Sequence, residues 1–335
     1  MRIGPPDHTY DWQEHWPQGD GNTASDGWAH HGVVVTSAGQ VVSFHPDAPR
    51  VVIRDRTGEV IRSWESGLLE GHGITLVRDG EEEFLWIADC GNKMRRAEDG
   101  SYQPEVAADG GAVQKYGLDG EVVQRLDRPG LPAYLDGPYA PTWVAVNESR
   151  FGGDGHIWVA DGYGQSYVHR YDAFGAYLSS LSGEEGGGRF DCPHAVYVDH
   201  RRGEPELYVA DRGNARIQVY GCDGSFRRVV GEGVLNSPSG MVAHGELLVV
   251  GELYARLALL DLDDQLIGYL GDNGEVCSVQ GWPNEVLEAG GPVQRPALRV
   301  GKFNSPHGLA VDADGNLYVA EWLVGGRLTK LTPAL

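Results

Sequence analysis

A sequence block of about 40–50 residues recurs along this chain and constrains its fold more than any other feature. Each copy begins with a motif such as Pro-His-Gly, continues through alternating apolar residues to a Gly/Asp turn, and reaches a second apolar run such as Leu-Tyr-Val-Ala-Asp. Six copies of this second run are present, at 41–45, 85–89, 157–161, 207–211, 247–252 and 317–321. Because apolar and polar residues alternate with the period of a β-strand, the block predicts strands rather than helices.

The remainder of each copy predicts two more strands. A third alternating run, such as 216–220, ends at an Asp-Gly pair such as Asp223-Gly224, whose glycine can take the positive φ of a tight hairpin turn. A fourth run follows, as in 121–126. Four antiparallel strands repeated six times predict an all-β protein, a six-bladed β-propeller.

The two ends of the chain are predicted to meet. The last copy ends after its third strand, 327–331, and the N-terminal segment 9–16 alternates like a strand. We expect this segment to complete the last blade and close the ring, which leaves no open sheet edge, so that residues 1–335 form one domain. Three stretches do not fit the repeat, at 90–112, 127–141 and 278–300. Loops of this length in a compact domain are usually functional lids or disordered.

Composition excludes several classes of function. The formal net charge of −21 disfavours nucleic acid and anionic membranes as partners. Four cysteines are too few for a disulfide framework, and no apolar run approaches the ~20 residues of a membrane span. The N-terminus lacks the apolar core of a signal peptide. We therefore expect a cytoplasmic protein that acts on a small-molecule substrate, with an oligomeric state that the sequence does not specify.

One repeated position carries residues that can bind a metal. The residue that enters the first strand of each blade faces the mouth of the central channel. In blades one to six it is His31, His72, Thr142, His194, Ser239 and His307. Alternate blades of a six-fold ring stand about 120° apart, so His72, His194 and His307 converge on the axis, as the three nitrogen ligands of a catalytic metal with an open position do. The alternative is that these histidines pack and bond to the backbone without a metal.

Zinc is the first choice of divalent metal for such a site, although histidine ligands also suit iron, copper, nickel and manganese. Zinc would lower the pKa of a bound water or alcohol and polarise a carbonyl group. His31 breaks the alternation of histidines between blades. It could support the ligands, act as a general base, or have a structural role.

A second repeated position closes the second strand of each blade. Its residues are His45, Asp89, Asp161, Asp211, Glu252 and Glu321. Their regularity favours a structural role in which the carboxylates accept hydrogen bonds from backbone N–H groups of an adjacent turn. The longer side chains of Glu252 and Glu321 could instead reach the channel and support the site.

Two residues that follow this position are candidates for catalysis. Tyr163 in blade three and Arg212 in blade four are predicted to stand at the channel mouth beside His194. A tyrosine can act as a general base where a metal or an arginine lowers its pKa, and an arginine can bind a substrate carboxylate with two hydrogen bonds. Alternatively, Tyr163 packs under the 127–141 stretch and Arg212 pairs with an aspartate.

The repeats resemble NHL repeats over nearly the whole chain, and the site positions resemble those of peptidyl-α-hydroxyglycine α-amidating lyases, which are six-bladed NHL propellers. The resemblance implies that His72, His194 and His307 bind zinc, that Tyr163 is the catalytic base, and that Arg212 lies in the substrate site. The matching motifs are the three histidine positions, Asp161-Gly162-Tyr163, and Val209-Ala210-Asp211-Arg212 continued by Asn214, Arg216, Ile217 and Gln218. An axial calcium ion of that family is left open here, since Gly308 supplies no carboxylate.

The chain also departs from that family. Phe44-His45 is followed by Pro46 where the family has a second active-site arginine, which leaves Arg50 as the candidate replacement. Gly164 follows Tyr163 where the family has a cysteine. The resemblance therefore implies the metal chemistry more directly than the peptidyl substrate.

Together these patterns predict a metal-dependent lyase that acts on a small hydroxylated or carbonyl substrate, for example by breaking down a hemiaminal-type carbinol or by an elimination. A metal-dependent hydrolase of the lactonase type is the alternative among enzymes. A non-catalytic NHL interaction scaffold is the alternative outside them, since propellers often bind partners through their rims and function lies in sites rather than folds.

Overall fold

A computed structural model of the protein describes residues 1–13, 16–17, 26–286 and 291–334. Within them, six sheets of at least four antiparallel strands form the blades of a propeller. The prediction of an all-β, six-bladed propeller is confirmed. The N-terminal strands β1 (Arg2–Ile3) and β2 (Tyr10–Trp12) belong to the last blade.

The first three blades contain one hairpin and one helix that do not belong to the repeat. Blade one consists of β3 (Val33–Val35), β4 (Val41–Phe44), β5 (Arg50–Arg54) and β6 (Val60–Glu65). Blade two consists of β7 (Gly73–Asp79) and β8 (Glu82–Asp89), then, after the inserted hairpin of β9 (Asn92–Arg96) and β10 (Tyr102–Val106), of β11 (Ala112–Gly117) and β12 (Val122–Leu126). Helix α1 (Ala133–Asp136) precedes blade three, which consists of β13 (Trp143–Val146), β14 (Ile157–Asp161), β15 (Tyr167–Tyr171) and β16 (Tyr177–Leu181).

The last three blades follow the same order from the channel outward. Blade four consists of β17 (Pro193–Asp199), β18 (Glu206–Asp211), β19 (Arg216–Gly221) and β20 (Phe226–Val230). Blade five consists of β21 (Pro238–His244), β22 (Leu247–Glu252), β23 (Arg256–Leu260) and β24 (Leu266–Leu270). The short strands β25 (Glu285–Val286) and β26 (Val293–Gln294) come before blade six, which consists of β27 (Pro306–Val311), β28 (Leu317–Glu321) and β29 (Arg327–Pro333). Three 3-10 helices lie at Ser149–Phe151, Arg212–Asn214 and Gly274–Ser278.

The ring closes as the sequence predicts. Strand β2 pairs antiparallel with β29 and provides the fourth strand of blade six, with Trp12 opposite Leu331, and β1 adds a fifth strand outside it. Residues 14–15 of the predicted closing segment lie outside the described residues. Trp12 is buried and packs against Phe303, with ring centroids 5.0 Å apart, so the closing strand contributes to the core as well as to the sheet.

The core lies between the faces of neighbouring blades. The second strand of each blade is buried almost throughout, because both of its faces are covered by adjacent sheets. Aromatic residues at the same position of this strand fill the space between blades: Trp86, Trp158, Tyr208 and Tyr318 are at most 2% exposed. The repeated Leu-Tyr-Val-Ala pattern is thus the sequence of a doubly buried strand.

The repeated acidic residues hold the turn that leads into the first strand of the same blade. Asp89 accepts hydrogen bonds from the backbone N–H groups of Leu69 and Glu70, at 2.7 and 3.2 Å, just before His72. The corresponding bond in blade four joins the Asp211 carboxylate to the backbone N–H of Asp191. These carboxylates therefore fix the residues that enter the channel, which explains their regular occurrence.

Two of the three non-repeat stretches contact each other. The 90–112 stretch forms the β9–β10 hairpin, and the backbone N–H of Val293, in the 278–300 stretch, donates to the carbonyl of Gly100 at 3.1 Å. Residues 287–290 lie outside the described part of the chain. The 127–141 stretch carries α1. None of the described helices has the length and apolar character needed to cross a bilayer.

Candidate metal centre

Three of the predicted ligands come together at one end of the central channel. His72, His194 and His307 enter the first strands of blades two, four and six, and all three are fully buried. Their ring centroids are 4.6 Å apart for His72 and His307, 4.8 Å for His72 and His194, and 4.9 Å for His194 and His307. Their role as metal ligands stays a prediction, but alternate blades do bring these imidazoles to one point.

The blades between them orient these rings. The Nδ1 atom of His72 lies 2.7 Å from the carbonyl oxygen of Thr142, that of His194 lies 2.7 Å from Ser239, and that of His307 lies 3.1 Å from His31. A carbonyl oxygen can only accept, so each Nδ1 carries the proton and donates. Each Nε2 of the neutral imidazole then presents a lone pair to the channel, as in a metal-binding histidine.

Two of these lone pairs face each other. The Nε2 atoms of His72 and His307 are 3.2 Å apart, and neither carries a proton in the tautomer set by its Nδ1 bond. Burial lowers the pKa of His72 to about 3 and holds the pKa of His307 well below its usual value, so protonation does not supply the missing donor at neutral pH. A cation bound by both nitrogens would satisfy them, and the donor set therefore fits a divalent transition metal.

A fourth histidine, which lies outside the repeated entry positions, joins the cluster. One nitrogen from each of His30, His72, His194 and His307 lies within 4.8 Å of those of the other three. His30 occupies the position of the proline that precedes the entry residue in blades three to six. The His30-His31 doublet was the only signal in the sequence, and it does not show which of the two rings faces the channel.

His31 does not turn its ring into the cluster. Its Nδ1 lies 3.0 Å from the carbonyl of Gly32, and its own carbonyl accepts the hydrogen bond from His307 Nδ1. His31 therefore supports the site through its backbone, and the placement of its side chain at the channel mouth is corrected in favour of His30.

The structure also corrects the suggestion that Glu252 and Glu321 reach the channel. Glu252 accepts a hydrogen bond from the backbone N–H of Asn236 and pairs with Arg256. Glu321 accepts from the backbone N–H of Ser305 at 3.1 Å and pairs with Arg327. Both have the turn-fixing role of the other acidic residues in this position.

Tyr163 and Arg212 lie over the imidazoles. The Tyr163 hydroxyl is 3.0 Å from His30 Nε2, 3.1 Å from His194 Nε2 and 3.3 Å from His72 Nε2. Arg212 donates to this hydroxyl at 3.2 Å and to Cys192 Sγ at 3.2 Å. Among the described residues, no carboxylate lies within ion-pair distance of Arg212, so its predicted aspartate partner is absent from this part of the chain.

The pKa of Tyr163 is set by opposing effects. Burial raises it well above its usual value, and the guanidinium of Arg212 lowers it. Because burial outweighs the arginine, Tyr163 is a neutral phenol in the metal-free protein. An arginine alone therefore does not make this tyrosine a base, and a bound cation would have to supply the remaining effect.

A cavity of about 270 Å³, here called the vestibule, opens above the cluster. His30, Tyr163 and Arg212 line it together with the polar residues Glu70 and Asn92 and with apolar side chains that include Trp28 and Trp322. Below the cluster, the ring of Trp143 lies 6.1 to 6.4 Å from those of the three converging histidines. A larger cavity of about 390 Å³, further along the first strands, is lined mainly by their apolar residues. Access to the cluster is therefore from the vestibule.

Comparisons with known proteins agree with this architecture. The NHL repeat family matches residues 303–325. NHL repeat-containing protein 3 of Homo sapiens is 27% identical over 290 residues, which cover 82% of this chain and 70% of that protein. A Caenorhabditis elegans protein named "probable peptidyl-alpha-hydroxyglycine alpha-amidating lyase" is 25% identical over 282 residues, which cover 81% of this chain and 67% of that protein.

A solved structure described as a streptogramin B lyase superposes with a TM-score of 0.58 at 13% identity, covering 97% of this chain and 98% of the other. At that identity the likeness shows the fold alone. The resemblance predicted from the sequence is confirmed: the chain is a six-bladed β-propeller, its residues 303–325 match the NHL repeat, and it is similar to peptidyl-α-hydroxyglycine α-amidating lyase over most of its length.

Proposed function

We propose that this protein is a metal-dependent lyase that cleaves a small hydroxylated or carbonyl substrate in the vestibule. The observation that carries the proposal is the 3.2 Å contact between the unprotonated Nε2 atoms of His72 and His307. Two buried lone pairs at this distance repel each other unless a cation lies between them. With His194, these residues would hold the ion, and zinc is the first candidate, followed by iron and copper.

A bound divalent ion would lower the pKa of a substrate hydroxyl or of water and polarise a carbonyl group. The chain's own residues would then carry out the proton transfer. Tyr163 is the only hydroxyl that contacts three of the imidazoles among the described residues, so it is placed to exchange a proton with a substrate oxygen in the same position.

For a carbinol whose carbon carries both a hydroxyl group and an acylated nitrogen, the step balances without an oxidant. Tyr163, as phenolate, takes the hydroxyl proton, the C–O bond becomes a carbonyl, and the C–N bond breaks. Tyr163 then returns the proton to the leaving nitrogen. The products are an amide and an aldehyde. Formation of an amide from an α-hydroxyglycine agrees with the name of the Caenorhabditis elegans relative, an alpha-amidating lyase.

Arg212 has two tasks in this scheme. Its hydrogen bond to the Tyr163 hydroxyl favours the phenolate, and its remaining N–H groups are available to a substrate carboxylate. The absence of a carboxylate partner among the described residues leaves its charge for this use.

The test is metal content and turnover of the purified protein. We expect one transition-metal ion per chain and release of an aldehyde from a panel of N-acyl-α-hydroxyglycines. His194→Ala should lose both, whereas His8→Ala, a histidine outside the cluster, should keep both. Tyr163→Phe should keep the metal and lose turnover.

Wild-type protein that binds no stoichiometric transition metal would overturn the proposal and favour an interaction scaffold. Bound metal with cleavage of lactones, but not of α-hydroxyglycines, would replace the lyase by the hydrolase alternative.

A further inference from the structure

We infer that His30 is a fourth metal ligand, so that the centre is a four-imidazole site rather than a three-imidazole one. This inference rests on the proposed function, because it concerns the same ion. The resemblance implies only three histidines, and the fourth is argued from the contacts of this chain.

The backbone around His30 is held in place. The N–H of Ala29 donates to the carbonyl of Leu323 at 3.0 Å, and Trp28 forms an isolated β-bridge with Val324. Buried Lys93 donates to the carbonyl of Trp28 at 2.9 Å. Three anchors within two residues of His30 fix the point from which its side chain enters the cluster, as a preorganised ligand requires.

The ring of His30 is as close to its neighbours as the three converging histidines are to one another. Its centroid lies 4.3 Å from that of His72 and 4.7 Å from that of His307. The corresponding distances among the other three run from 4.6 to 4.9 Å. His30 is therefore a member of the cluster and not a residue behind it.

A role limited to orienting Tyr163 explains the contacts less well. The single proton of the Tyr163 hydroxyl can be donated to only one acceptor, yet three Nε2 atoms lie within 3.3 Å of its oxygen. His72 and His194 carry lone pairs there in the tautomers set by their Nδ1 bonds, and the hydroxyl can satisfy only one of them. The Nε2 of His30 converges on the same point, and a cation shared by these nitrogens accounts for the convergence.

His30 differs from the other three in one respect. Among the described residues, none accepts a hydrogen bond from its Nδ1, whereas each of the others donates its Nδ1–H to a carbonyl. Histidine ligands are normally held by such a bond, and its loss weakens binding. We therefore expect His30 to be the most weakly held of the four ligands.

Four imidazoles would fill every position of a tetrahedral metal ion and leave none for the substrate. A substrate oxygen can reach the ion only if the metal accepts at least five ligands or if His30 gives way. Co²⁺ reports this directly, because its visible absorption is intense in four-coordinate sites and weak in six-coordinate ones.

The experiment titrates metal-free protein with Co²⁺ and follows affinity and the visible spectrum. Wild type should bind one Co²⁺. His30→Ala should bind it at least about 10-fold more weakly, with a changed spectrum, and His194→Ala should bind it more weakly still. His8→Ala, which removes a histidine outside the cluster, is the control and should behave like wild type.

Tyr163→Phe separates ligation from hydrogen bonding to Tyr163. If His30 is a ligand, adding His30→Ala in the Tyr163→Phe background should weaken Co²⁺ binding by the same factor. Unchanged affinity and spectrum on loss of His30 in both backgrounds would overturn the inference while leaving the proposed function intact. Wild type that binds no Co²⁺, Zn²⁺ or Fe²⁺ would overturn both. His30→Gln replaces His30→Ala if circular dichroism shows that the alanine variant does not fold.

Discussion

At the scale of single residues, the partner of each ring nitrogen decides what a histidine does. His307 donates its Nδ1 proton to the carbonyl of His31 and turns its Nε2 lone pair to the channel, whereas the Nδ1 of His31 lies next to the carbonyl of Gly32. His169 lies between Tyr134 and Ser180 in the wall of blade three and has no place in the site. The sequence shows where histidines occur, but these partners depend on the distance between blades.

Arg212 shows the energetic cost of such a site. It is partly buried, donates to a tyrosine and a cysteine, and has no carboxylate partner among the described residues. Arg216, four residues later, pairs with the fully buried Asp211 at 2.8 Å. The two arginines therefore differ in whether their charge is compensated within the fold.

We predict that Arg212→Met raises the free energy of unfolding by about 1 kcal/mol while abolishing turnover, since residues at active sites are often kept at the expense of stability. Arg216→Met should instead lower it by about 3–5 kcal/mol, because the buried Asp211 carboxylate would keep neutral hydrogen-bond donors but lose the charge that compensates its own. Urea unfolding of both variants measures the difference. Equal destabilisation by the two substitutions would contradict this interpretation.

At the scale of elements, the first strands of the blades approach one another closely at the level of the histidines. A Cβ atom added to Gly308 would lie 2.6 Å from the Cα atom of Gly32. The glycine after the entry histidine is therefore required by packing between blades one and six. In blades two and six the His-Gly pair combines a predicted ligand with this close approach between strands, whereas Ala195 follows His194 in blade four.

Gly308→Ala should lower the free energy of unfolding by about 1–3 kcal/mol, because the methyl group overlaps the neighbouring strand. It should also weaken metal binding, since His307 moves with the strand. Gly130→Ala is the matched control, because nothing lies within 4 Å of its added Cβ atom. Denaturant unfolding and metal titration check both, and a Gly308→Ala protein as stable as Gly130→Ala would argue against the close contact.

Elements inside the repeat could be predicted from the sequence, and those outside it could not. Strand order and the positions of His72, His194 and His307 follow from periodicity, because one blade predicts the next. The vestibule does not follow, since part of its wall, including Met94, comes from the β9–β10 hairpin, and Trp28 lies before the first repeat. His30 was missed because it occupies a proline position, where the repeat gives no expectation of a ligand.

At the scale of the whole molecule, the pairing between an N-terminal strand and the last strand closes the propeller and contributes to its stability. Strand β2 joins β29 within blade six and also reaches blade five, because the Tyr10 hydroxyl lies 2.9 Å from Nδ1 of His244. The histidine cluster depends on the same closure, since His307 enters the first strand of blade six and His30 precedes the first strand of blade one. Opening the ring would separate these two histidines before it disturbed the other blades.

We therefore predict that removing residues 1–13 weakens metal binding and lowers the unfolding temperature, whereas removing residues 1–8, which include only the outer strand β1, has a small effect. Trp12→Ala should lower the free energy of unfolding by about 3–5 kcal/mol, because loss of this buried side chain leaves a cavity against Phe303.

Hydrogen exchange would show which strands are destabilised. Amides of β27, β28 and β29 should lose protection first, while those of β17, β18 and β19 keep theirs. Uniform loss of protection around the ring would contradict this prediction. Closure would then stabilise all blades equally, and the geometry of the histidine cluster would not depend on it more than on any other contact between blades.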